Sequence, residues 1–164
     1  MNRAMLFYWG KIMSDKLFQI TRRISAEDPD VTIFDVIGRI TLAGDDAVRA
    51  QDVRGNAAKL REAIQEEVRN KKPPQIILNL EKTTYIDSCG LAELVAGKTR
   101  IINAGGQFAL LKLTKKVSDL LQITKMYTVF SVFDNEETAI RAFSASRSGL
   151  RPNPWLVSEP VGRS

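Results

Sequence analysis

Histidine is absent from this 164-residue chain, and cysteine occurs once, at Cys89. Without an imidazole there is no histidine acid–base chemistry, no histidine-ligated metal and no Ser-His-Asp triad. A lone cysteine excludes an internal disulfide and any Cys-x-x-Cys metal or redox site, as expected of a cytoplasmic protein. Long apolar runs are missing too. Ala4-Met5-Leu6-Phe7-Tyr8-Trp9 is halted by Gly10-Lys11 after six residues, short of a signal-peptide core or a membrane span. Residues 1–14 read as an N-terminal extension, or as upstream sequence before a natural start near Met13. A weak membrane-surface anchor is the alternative. Neither Gly-x-Gly-x-x-Gly nor Walker spacing surrounds Gly105-Gly106, which reads as a helix stop, and nothing in the chain calls for a cofactor or a metal.

The net charge of +5 suggests nucleic acid until it is located. Residues 15–143 carry 19 Lys and Arg against 18 Asp and Glu, and the excess lies at the two ends. A nucleic-acid module needs a basic face on its folded body, so direct nucleic-acid binding is not expected.

Hydrophobic residues make up 44% of the chain, enough at this length for one domain with a proper core. A strand around residues 17–24, the polar cluster Ser25-Ala26-Glu27-Asp28-Pro29-Asp30 and the run Val31–Ile37 predict a hairpin. After Gly38-Arg39-Ile40-Thr41, the stripe Val53, Ala57, Leu60, Ile64 and Val68 predicts a long helix. Ile76-Ile77-Leu78-Asn79-Leu80, bounded by Pro73-Pro74 and Glu81-Lys82, suits a strand covered on both faces. Leu91, Leu94, Val95 and Ile102 then recur at helical spacing as far as Gly105. A core strand over 107–113, a short helix capped by Thr114, a strand over 129–133 and a helix opened by Asp134 and Glu137 complete the order. From Ser144 on periodicity is lost, and 144–164 reads as a flexible tail. Alternation of this kind argues for an α/β domain over residues 15–143, its largely parallel sheet carrying helices outside it.

The most informative segment is Tyr85-Ile86-Asp87-Ser88-Cys89-Gly90-Leu91. It sets a hydroxyl between a strand and a helix, with Ser88 expected at the N-cap. A phosphate there would meet the helix's free amides and the positive end of its dipole. Asp87 reads as a docking or loop-bonding group, since no second acid is held near it for catalysis. Cys89 reads as a small residue buried at the turn, although helix N-termini do lower thiol pKa values; a redox sensor is the less favoured reading. Lys112, Lys115 and Lys116 form a basic cluster, usually a solvated face and alternatively a receiver for an acidic partner.

This element order, with Asp87-Ser88-Cys89-Gly90-Leu91 and the earlier Gly38-Arg39-Ile40-Thr41, resembles the STAS domain of bacterial anti-sigma factor antagonists from about Leu17 to Phe143. The resemblance implies a mixed, mostly parallel sheet with helices packed outside it, and a binding switch rather than an enzyme. Ser88 would be the phosphoacceptor, and Asp87, Cys89, Gly90, Leu91 and Thr41 would belong to the partner-binding segment. The implied partners are an anti-sigma factor with serine kinase activity, which binds the unphosphorylated form and gives up its sigma factor, and a metal-dependent serine phosphatase. Two departures are Cys89, where a second hydroxyl or a small residue is common, and Thr41, where many members carry an acid. Unphosphorylated members serve as stressosome scaffolds or as cytosolic subunits of membrane transporters, which gives the alternative reading. A flavodoxin-like enzyme or nucleotide binder is the third.

Overall fold

The computed structural model describes residues 18–42 and 55–149. The stretch at 1–14, residue Val53 and the tail beyond Gly149 lie outside the described residues. Strands β1 (Gln19–Ile24) and β2 (Val31–Ile40) form the antiparallel hairpin. Its turn is closed by Ser25, whose amide donates to the Val31 carbonyl at 2.9 Å and whose hydroxyl accepts from Glu27 and Asp28. Then follow α1 (Asn56–Asn70), β3 (Gln75–Ile86), α2 (Ser88–Asn103), β4 (Gln107–Leu111), α3 (Lys115–Ile123), a 3-10 turn at Met126–Thr128, β5 (Ser131–Phe133) and α4 (Glu136–Arg147).

The five strands lie in chain order, β1 antiparallel and β2 to β5 parallel. Right-handed crossovers between successive parallel neighbours all fall on one face of a sheet. Accordingly α1, α2 and α3 share one core, in which Leu60, Ile64, Leu94, Ile101, Val117 and Leu121 meet Phe34, Ile76, Leu78 and Leu110. Helix α4 follows the last strand and covers the other face, laying Ala139, Ile140 and Phe143 on Val31, Ile33, Ile77, Ala109 and Leu111.

Several element ends differ from the sequence expectation. The Ile76–Leu80 strand continues to Ile86, because β2 keeps pairing with it as far as Ile40 opposite Ile86. Pairing with β4 stops at Asn79 opposite Leu111, so Glu81 and Lys82 stand exposed on a strand paired on one side only. On α2 the buried residue of the last turns is Ile101, whereas Ile102 is half exposed. Gly97 faces Ile64 of α1, which fixes the helix's rotation. β4 ends at Leu111, since Lys112 takes a positive φ of 52°. Val129 and Phe130 belong to the 3-10 turn and its exit, where Phe130 packs on Phe108. Asn135, not Asp134, caps α4 and accepts from the amides of Glu137 and Thr138. That helix runs on to Arg147, whose guanidinium bonds Asp28 and Asp30 of the hairpin turn.

Candidate functional site

The site is built where β2 and β3 end and α2 begins. The Asp87 amide still donates to the Ile40 carbonyl at 3.2 Å, so the chain is extended through Asp87. Asp87, not Ser88, is therefore the N-cap: its Oδ1 accepts from the Gly90 amide at 2.7 Å. This corrects the expectation for Ser88, which occupies the first helical position. The same carboxylate takes the Leu42 amide through Oδ2 at 3.0 Å. One side chain thus joins the start of α2 to the end of β2.

Gly90 is required by that junction, because a Cβ there would lie 2.2 Å from the Ile40 carbonyl oxygen. Leu91 turns into the core as expected, and its amide bonds the Asp87 carbonyl at 2.9 Å. Thr41 is only 6% exposed, and its carbonyl accepts from Ala57 at the start of α1. Of the segment's side chains, Ser88 is exposed and Asp87 and Cys89 are partly buried. Cys89 is thus not the buried residue expected at the turn, because the first turn of α2 stands at the surface. Ser88 makes no side-chain hydrogen bond to any described residue. The Gly90 and Leu91 amides are occupied, and those of Ser88 and Cys89 have no acceptor among the described residues.

Two exposed groups that the sequence reading did not single out flank this point. Leu42 follows Thr41, and Tyr85 stands two residues before Asp87 with the Arg39 guanidinium 5.0 Å from its ring centre. Cross-strand register could have found the Arg39–Tyr85 pair, but nothing local marks Leu42. Among the lysines, Lys112 lies 3.7 Å from Glu81 and Lys115 pairs with Asp119 at 2.8 Å, while Thr114 donates to the Thr83 carbonyl. The carboxyls with displaced pKa values lie elsewhere and serve the fold. Burial alone would raise Glu67, but bonds from Arg22 and Thr32 hold it below its usual value. Asp35 is lowered against burial by Arg23 and Asn79, and Asp28 by the Asp30 amide and Arg147. Among the described residues no three His, Cys, Asp or Glu side chains converge as a metal site would need, and no helix is long and apolar enough to cross a membrane.

These features define an α/β domain that offers an exposed serine at a strand-to-helix junction, braced by an aspartate cap. The chain belongs to the STAS domain family, whose profile matches residues 53–139. It is 27% identical over 82 residues to an anti-sigma F factor antagonist of Paenibacillus polymyxa, across 49% of this chain and 69% of that one. In structure it resembles a putative anti-sigma factor antagonist of Thermotoga maritima (TM-score 0.60, 21% identity, 76% of this chain and 94% of that one). It also resembles the Bacillus cell fate determinant SpoIIAA in its phosphorylated form (TM-score 0.50, 16% identity, 76% and 97%). These structural likenesses establish the fold.

Proposed function

We propose that this protein is an anti-sigma factor antagonist controlled by phosphorylation of Ser88. The observation that carries the reading is the division of labour at the start of α2: Asp87 caps the helix, and the exposed Ser88 hydroxyl makes no hydrogen bond to any described residue. Modification therefore costs the helix nothing, yet adds about −1.5 to −2 charges at one surface point. The unphosphorylated form binds an anti-sigma factor with serine kinase activity and displaces its sigma factor. The phosphorylated form does not bind, because two anionic groups at adjacent positions would have to be desolvated together. A metal-dependent phosphatase restores the first state. Asp87 and Cys89 flank the contact, while Thr41, Gly90 and Leu91 shape it from beneath. The protein acts in the cytoplasm as a binding protein rather than an enzyme. The relatives named as anti-sigma factor antagonists, and the one seen in a phosphorylated form, support this reading.

The test is phosphopeptide mass spectrometry on the protein from its own cells, in growth and under stress. A Ser88 phosphate whose occupancy changes with condition is expected. An unmodified Ser88 throughout would favour a constitutive scaffold or a transporter subunit.

A further inference from the structure

We propose that Leu42 and Tyr85 are the apolar anchors of the docking surface around Ser88, and that the partner is a folded protein offering an apolar recess to them. This rests on the switch reading above and adds the residues that supply its binding energy. Large hydrophobic side chains in water are few among the described residues: Ile24, Leu42, Tyr85, Ile102, Ile123 and Tyr127. Two of the six stand where the neighbouring strands β2 and β3 end: Leu42, whose amide is bonded to the Asp87 carboxylate beside Ser88, and Tyr85, three residues before Ser88. Leu42 is 65% exposed, yet its backbone is held by the Asp87 carboxylate at 3.0 Å and by the Thr41–Ala57 bond before it. With its backbone already pinned, Leu42 has only its side-chain rotamers left to order on binding. Tyr85 is 45% exposed and braced by the stacked Arg39. A tyrosine with an arginine against its ring is the composition typical of binding hot spots.

The electrostatics of the switch require such a surround. A phosphate repels a partner weakly through water and strongly once water is excluded. Apolar side chains flanking Ser88 are what would exclude it. The buried Thr41, Gly90 and Leu91 offer a partner almost no side-chain area.

The experiment titrates the purified serine-kinase anti-sigma factors of the protein's own genome with wild type, Ser88→Asp, Leu42→Ala, Leu42→Glu, Tyr85→Ala and Ile123→Ala, read by calorimetry. Ile123, 82% exposed at the far end of α3, is the control. Leu42→Ala and Tyr85→Ala are expected to weaken binding about tenfold or more each, Leu42→Glu to abolish it, and Ile123→Ala to leave it unchanged, all with wild-type melting curves. Should Tyr85→Ala lower the melting temperature, the two Leu42 variants decide. Wild-type affinity in both Leu42 variants, with Ser88→Asp weakened, overturns the anchors and leaves the switch standing. A wild type that binds none of the kinases overturns both.

Discussion

Replacing Asp87 should cost this fold more than replacing Ser88, although a sequence reading makes Ser88 the cap. In Asp87→Ala the Gly90 amide loses its acceptor at 2.7 Å and the Leu42 amide loses its own at 3.0 Å. Loss of an N-cap costs about 1 kcal/mol. The second bond lies at the surface, where water replaces it in part, and contributes about 0.5–1 kcal/mol. The sum is about 1.5–2 kcal/mol, roughly 6 °C in melting temperature for a domain of this size. Asp87→Asn keeps an acceptor for Gly90 but turns an amide donor towards Leu42, so about half of that loss is expected. Ser88→Ala removes a solvated hydroxyl and should stay within about 0.5 kcal/mol of wild type. Urea unfolding at neutral pH, with a common slope across the four proteins, gives the order directly. If Ser88→Ala cost as much as Asp87→Ala, the hydroxyl would be the cap after all. A phosphate on it would then compete with the helix for the same amide.

The remaining expectations concern the fold around the site. Glu67, Asp35 and Asp28 all have folded pKa values below their ordinary 4.5, 3.8 and 3.8. Each therefore contributes stability that is present above its ordinary value and lost as pH falls through the lowered one. With no histidine to titrate, the urea midpoint should stay level from about pH 8 to about pH 5 and fall below that. A midpoint that rises on acidification would contradict the ion-pair assignment. Gly90→Ala should destabilise by about 1–3 kcal/mol, because its Cβ would sit 2.2 Å from the Ile40 carbonyl oxygen. Near-wild-type stability in that variant, measured by the same urea melts, would mean that α2 is not seated on β2 as described.

The layers and their order were legible in the sequence because apolar periodicity reports burial, and burial is what the sheet and its helices share. The hairpin, the Leu60–Ile64 stripe of α1 and the Thr114 cap all appear where the pattern puts them. Element ends were less legible, since pairing partners decide them and a strand's own residues do not name its partner. Glu81 and Lys82 look like a stop, yet β3 passes through them because β2 alone still holds it. Ile101 and Ile102 both fit a helical stripe, and the contact of Gly97 with Ile64 on another helix chooses between them.

The site shows the same limit in its sharpest form. Asp87 and Ser88 are equally good N-caps by residue type, so their order alone cannot say where the helix starts. The bond from the Asp87 amide to the Ile40 carbonyl decides it, by keeping the chain extended for one residue more. That long-range bond gives the capping role to the aspartate and leaves the serine hydroxyl in water. A chain extended one residue less would make Ser88 the cap and tie the proposed switch to helix stability. As folded, the helix start does not depend on the Ser88 hydroxyl, so the proposed phosphorylation would change the surface without changing the fold.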